Sequence, residues 1–115
     1  MQRLHEFAIE LDGAHIGAAG IFLDENGQGG SLGWIIHKAH WGKGYAAEAA
    51  QAVIRFAQDT LQVRVFSARC DERNGASRRV MEKLGMTLES KTTGRGRYKH
   101  GIEEEATELK YSTRW

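Results

Sequence analysis

A chain of 115 residues, 41% of them hydrophobic and with a formal net charge of +1, is sized for one globular domain, residues 1–115. That near-neutral balance points to neither nucleic acid nor an acidic membrane surface as partner, and no apolar run approaches the roughly 20 residues that cross a bilayer. The single cysteine, Cys70, excludes an intrachain disulfide, and with no signal-peptide core in Met1–Glu6 the expected compartment is a reducing cytoplasm.

Phe7, Ile9 and Leu11 alternate with Ala8 and Glu10, which predicts a half-buried strand. Asp12-Gly13 is a hairpin-type turn. His15–Leu23 reads as a second strand, in which Gly17 and Gly20 mark a bulge or a close backbone approach. Asp24–Gly30 is a polar, glycine-rich turn. Leu32–His37 is a third strand, mostly apolar as a central strand should be. The period changes from Gly44 onward: Ala46, Ala50, Val53, Ile54, Ala57 and Leu61 recur at helical spacing. Val63–Arg69 is β-rich again. Strand, helix, strand is a βαβ unit, so the third and fourth strands should run parallel. Asn74 reads as the N-cap of a second helix, with Ala76, Val80, Met81 and Leu84 as its apolar stripe and Gly85 as its stop. Met86–Lys91 is a strand, Thr92–Gly101 a basic loop, and Glu105–Thr113 a closing strand. The predicted fold class is α/β with a mixed sheet, in the order β-β-β-α-β-α-β-β.

The segment Trp41-Gly42-Lys43-Gly44-Tyr45-Ala46 stands between the third strand and the first helix. A helix leaves its first N–H groups without partners, so a glycine loop entering it can cradle an anion. A plain glycine turn at a helix entry is the alternative. The segment lacks the GxxxxGK[ST] of a P-loop, and Ala47 stands where a dinucleotide fingerprint would need its third glycine. No Cys/His spacing suits a structural zinc site, so no metal is expected. Cys70 ends a core strand and reads as packing. The run Arg95-Gly96-Arg97-Tyr98-Lys99-His100 has basic residues around an aromatic, as RNA-binding tails do, but the acidic Glu103-Glu104-Glu105 follows at once, and a solvated hairpin is the reading.

Trp41-Gly42-Lys43-Gly44-Tyr45-Ala46 resembles the [QR]xxGx[GA] pyrophosphate loop of the GNAT superfamily of N-acetyltransferases. Gly44 and Ala46 match, while Trp41 replaces the usual Gln or Arg, as in the branch that acetylates ribosomal-protein N-termini. Asn74, Ser77, Arg79, Val80, Glu82, Lys83, Leu84 and Gly85 resemble the family's NxxSxRVxEKLGF segment, with Met86 for Phe. Phe7–Gly13 and Ile16-Gly17 look like its second and third strands. A typical member begins with a further strand and two helices, which wall the acceptor groove and have no counterpart in these residues. The resemblance leaves three readings open: a short member, a wall supplied by a partner, or lost activity.

The resemblance implies acetyl-CoA as cosubstrate, bound where the third and fourth strands splay apart. Backbone groups of Ile35, Ile36 and His37 would pair with the pantetheine arm like an added strand. Trp41, Gly42, Lys43, Gly44, Tyr45 and Ala46 would hold the pyrophosphate, and Asn74 would bond the pantetheine besides capping its helix. Ser77 is the candidate proton donor to the departing thiolate. An amine attacking a thioester must lose a proton; Glu10, His37, His40 and Glu103 are the candidate acceptors, and Tyr98 the candidate acceptor-site contact. The implied activity is acetyl transfer to a primary amine, such as a protein N-terminus, by direct attack in a ternary complex. The alternative is a non-catalytic acyl-CoA-binding module. An uncovered edge at the first strand and bare apolar sheet surface predict a homodimer.

Overall fold

A computed structural model describes residues 3–97 and 103–114. The elements are β1 (Leu4–Leu11), β2 (Ala14–Leu23), β3 (Gly29–Ile36), a single 3₁₀ turn (Lys38–His40), α1 (Tyr45–Thr60), β4 (Val65–Asp71), α2 (Gly75–Lys83), β5 (Thr87–Arg97) and β6 (Glu103–Arg114). Their order is the predicted one. The six strands form one mixed sheet in the order β1-β2-β3-β4-β6-β5, in which only the β3–β4 pair is parallel.

Both helices lie on one face of this sheet. Strand residues alternate between faces, and Ala19, Ile21 and Leu23 of β2, Leu32 of β3, Phe66 and Ala68 of β4, and Leu109 and Tyr111 of β6 share a buried core with Ala50, Val53, Ile54 and Ala57 of α1 and Met81 of α2. At roughly 2 kcal/mol for each large apolar side chain buried, this layer holds the domain together. Among the described residues no helix covers the opposite face. Leu4 is 49% exposed, Phe22 48% and Ile35 67%, although the Arg3 guanidinium sits 4.9 Å over the Phe22 ring. Strands β1 and β5 are the two sheet edges among the described residues.

The two glycines flagged in β2 are close backbone approaches. A Cβ on Gly17 would strike the carbonyl oxygen of Ile35, and one on Gly20 the carbonyl oxygen of His5. The bulge stands beside Gly17: Ile9 faces Gly17 but Glu10 faces His15, which leaves Ile16 as the extra residue.

Four boundaries need correction. Strand β3 begins at Gly29 rather than Leu32, because Gly29–Ser31 form the rungs to β4. His37 lies outside β3 and enters the 3₁₀ turn. Val63 is buried but precedes β4; its N–H donates to Ala57 O at 3.0 Å and closes α1. The predicted basic loop is strand up to Arg97, paired with β6 from Thr92↔Glu108 to Arg97↔Glu103. Thr92 to Gly94 are exposed, so no apolar alternation announces the strand there, and the Thr93 and Thr107 hydroxyls meet at 2.9 Å across the hairpin. Tyr98 to Gly101, the rest of the predicted loop, lie outside the described residues.

Candidate functional site

The site begins where a ladder stops. Strands β3 and β4 pair at Gly29↔Val65, Gly30↔Phe66 and Ser31↔Ser67, and not beyond, while β3 runs on to Ile36. The Gln28 carbonyl accepts the N–H groups of Arg64 and Val65 at 3.0 and 3.3 Å. By strand alternation Trp34 and Ile36 turn their backbone groups the same way as Gln28, but toward a gap instead of a strand. One of these groups is taken: Trp41 Nε1 donates to the Ile36 carbonyl at 2.7 Å. The other edge of β3 serves β2, and the His37 N–H donates to Ile16 O at 2.8 Å. The gap opens into a cleft of about 490 Å³ between β3, the glycine loop and α2.

The loop is shaped by two left-handed glycines, Gly42 at φ +77° and Gly44 at φ +82°. Residues with a Cβ adopt this conformation at a cost of roughly 1–2 kcal/mol. Gly44 caps α1 with no side-chain hydrogen bond. The first helical bond runs from Glu48 N to Gly44 O at 3.1 Å, so the amides of Tyr45, Ala46 and Ala47 have no partner within the helix. The helix dipole adds partial positive charge at this point. A Cβ built on Gly42 would meet nothing within 4 Å. The donors and the open space in front of them fit an anion such as a pyrophosphate.

Helix α2 forms the opposite wall. Asn74 is its N-cap, and the Asn74 Oδ1 accepts the Ser77 N–H at 3.1 Å. That leaves the Asn74 amide NH₂ to face a ligand. Ser77 is half-buried and lines the cleft. The helix ends on Gly85 at φ +85°, where Gly85 N donates to Glu82 O and Met86 N to Met81 O, both at 3.0 Å. This double bond is the Schellman stop that the glycine promised.

Ile35, Ile36, Trp41, Gly42, Gly44, Tyr45, Ala46, Asn74 and Ser77 all line this cleft, whereas His37 and Lys43 do not. Trp34, Arg79 and Lys83 line it too, and sequence reasoning gave them no role. Trp34 was legible in principle, two residues before Ile36 and so on the same strand edge. Arg79 and Lys83 stand four apart on one helix face.

The candidate bases separate. Glu10 borders a different, apolar groove beside Phe7 and Phe56. His37 meets His15 edge-on, ring centres 5.7 Å apart. His40 alone of the described candidates lines the cleft; its ring lies 6.2 Å from that of Tyr45, and its Nδ1 is buried without a hydrogen-bond partner. Tyr98 and the Glu103 side chain lie outside what the structure describes.

A parallel pair that parts beside a glycine loop and a helix N-terminus is the architecture of the acyl-CoA acetyltransferase fold. The family model for the acetyltransferase (GNAT) domain matches residues 1–87, and the chain belongs to that family. It is 40% identical over 79 residues to the uncharacterized N-acetyltransferase YjdG of Bacillus subtilis, a match that covers 69% of this chain and 45% of that protein. The chain thus spans less than half the length of that relative. Among solved structures, a GNAT-family acetyltransferase from Bacillus anthracis superposes with a TM-score of 0.78 at 28% identity, covering 95% of this chain and 65% of that one. The protein yncA from Salmonella typhimurium, solved with its cofactor acetyl-CoA, shares the fold at a TM-score of 0.80 and 22% identity, over 95% of this chain and 63% of that one.

Proposed function

We propose that this domain transfers the acetyl group of acetyl-CoA to a primary amine. The observation that carries the reading is the cleft itself: an unpaired strand edge on β3, leading to the uncapped amides at the start of α1. An extended amide-bearing arm with an anionic end matches both features. Trp34 offers its backbone N–H and carbonyl, and Ile36 its N–H, to the pantetheine, which refines the expected set by replacing Ile35 and His37, whose backbone groups turn toward β2. The amides from Gly42 to Ala47 hold the pyrophosphate, with Lys43 adding charge from outside the cleft. Asn74 directs its NH₂ at the pantetheine.

Bound acetyl-CoA supplies the reactive thioester. The acceptor nitrogen attacks the acyl carbon directly, the C–S bond breaks, and no covalent enzyme intermediate forms. Ser77 gives its hydroxyl proton to the leaving sulfur and recovers one from solvent. The attacking amine releases its proton to water or, through a water chain, to His40. The acceptor we favour is a protein N-terminus, as the Trp41-type loop suggests. The domain acts in the cytoplasm as a homodimer, joined through the β1 edge or across the bare sheet face that carries Leu4, Phe22 and Ile35. Light scattering of residues 1–115 that reports a monomer at micromolar concentration would defeat the dimer.

A second reading is an acyl-CoA-binding module without transfer. It is favoured by the positions of Glu10 and His37, two of the candidate bases, away from the cleft. Release of free thiol from acetyl-CoA, measured with a panel of amines and peptide N-termini, separates the two. Release that depends on the amine supports the enzyme. Tight binding with no release for any acceptor supports the module.

A further inference from the structure

Strand β1 has a definite inner and outer edge. Arg3 O accepts the Leu23 N–H at 2.8 Å, and at the other end the Asp12-Gly13 turn closes the hairpin with Leu11 opposite Ala14. Both mark the odd-numbered residues as those whose backbone groups bond β2. The backbone groups of Glu6, Ala8 and Glu10 therefore point away from the sheet, and no described strand meets them. The side chains divide in the same way. His5 and Phe7 lie against Phe56 of α1, ring centres 5.6 and 5.2 Å away, and Glu6 and Ala8 take the other face. Beside this edge an apolar groove of about 360 Å³ runs between β1 and α1, lined by Phe7, Ile9, Ala49, Ala52 and Phe56. Phe7 is 43% exposed. An open edge that continues into an apolar groove offers a further strand pairing for its backbone and room for alternate side chains.

The charges on β1 select that strand. A second copy of β1, arriving antiparallel, can centre on Glu6, Phe7 or Ala8. Centred on Glu6, it sets that carboxylate against its own counterpart. Centred on Ala8, it sets Glu6 against Glu10 on both sides of the axis. Like charges directly opposite each other destabilise a strand pair. Centred on Phe7, it brings Glu6 to Ala8 and Glu10 to Leu4, and no carboxylate stands directly opposite another. The strand has neither proline nor lysine to guard its edge, so its carboxylates exclude the neighbouring registers and leave this one.

We propose that β1 of one copy pairs antiparallel with β1 of a second copy about a two-fold axis at Phe7, joining the two sheets into one. This rests on the homodimer proposed above and places it at the β1 edge instead of the uncovered sheet face. Glu6 and Ala8 exchange N–H···O=C bonds on each side of the axis. The two Phe7 rings meet at a non-hydrogen-bonded position, where cross-strand side chains come closest, and each is backed by its own Phe56. His5 of each copy lies opposite Ile9 of the other, on the groove side.

The test is light scattering of residues 1–115 over a concentration series, on the parent, Ala8→Pro and Phe22→Thr, with thermal melts to confirm that each is folded. Ala8→Pro removes an N–H that points outward and makes no bond to β2, so proline is compatible with the fold at this edge position. The parent is expected to be a dimer. Ala8→Pro should raise its dissociation constant about tenfold or more, because the symmetric contact loses the bond twice. Phe22→Thr, on the uncovered face, should leave it unchanged. A second arm oxidises Phe7→Cys in a Cys70→Ala background. Cα atoms about 4.5 Å apart at a non-hydrogen-bonded pair are within disulfide reach, so a covalent dimer is expected. A folded Ala8→Pro that dimerises like the parent would overturn the pairing, as would a dimeric Phe7→Cys that does not cross-link. Dissociation by Phe22→Thr alone would move the interface to the uncovered face. A monomeric parent would sink the homodimer reading and this pairing with it, and would leave the acetyl-CoA reading untouched.

Discussion

The hydroxyls of Ser31 and Ser67 lie 3.2 Å apart on the bare face of the sheet, at the last rung that joins β3 to β4. Past this pair the strands part and the cleft begins. Ser67 Oγ also reaches the Gly30 carbonyl at 3.5 Å, so the end of the parallel ladder is fastened by side chains as well as backbone. Residues in one hydrogen-bond network are energetically coupled. Ser31→Ala and Ser67→Ala are each expected to cost about 1 kcal/mol of stability, and the double variant less than their sum. Strict additivity in urea unfolding would show that the two hydroxyls act independently.

Gly44→Val is expected to weaken coenzyme A binding at least tenfold, or about 1.4 kcal/mol. The protein around Gly44 does not itself exclude a side chain, since its nearest neighbour to a Cβ would be Lys83 Nζ at 3.6 Å. The loss comes from forcing a β-branched residue into φ +82° and from filling space in front of the amides. Calorimetry that finds equal affinity for variant and parent would remove the pyrophosphate from this loop.

Asn74→Ala removes the cap that accepts the Ser77 N–H, and about 1 kcal/mol of stability should go with it. Affinity for coenzyme A should fall as well if the amide NH₂ meets the pantetheine. A less stable variant with unchanged affinity would restrict Asn74 to capping.

Ser77→Ala separates proton donation from binding. The expected result is a lower kcat at nearly unchanged affinity, because the hydroxyl acts on the leaving sulfur only as the C–S bond breaks. Unchanged turnover, with chemistry shown to be rate-limiting, would make Ser77 a helix serine and nothing more.

Burial pushes the Cys70 thiol above its ordinary pKa, with Asp71 and Glu108 adding to the rise and Arg78 opposing it. At neutral pH the thiol is protonated in both folded and unfolded chains, so its ionisation does not affect stability there. As pH climbs past the ordinary thiol range, the unfolded chain ionises first, and stability should fall. Cys70→Ala should flatten that alkaline fall. An identical stability profile from about pH 8 to 10 would show that Cys70 has no part in it.

Much of the fold was legible because it is written in local patterns. The change from a period of two to a period of 3.6 at Gly44 marks α1, since only one face of each element meets the core. Asn74 and Gly85 mark both ends of α2, because unpaired amides and carbonyls need particular residues there. The β5–β6 hairpin was legible only in part. Thr92 to Gly94 are exposed, so burial leaves no alternation to read, and backbone pairing with β6 decides the structure.

The sequence by itself determined the order of the elements, the parallel sense of β3 and β4, the glycine entry to α1 and the cap of α2. Each depends on residues adjacent in the chain or on the handedness of one crossover. Tertiary structure alone decided where the ladder breaks, since the end of pairing at Ser31 and Ser67 is a relation between residues 36 positions apart. It also decided which edge of β3 is free, setting Trp34 in the cleft and binding the His37 amide to Ile16. For the same reason Lys83 could not be placed from its own segment: the loop glycine it faces, Gly44, belongs to another helix, and only packing brings the two together.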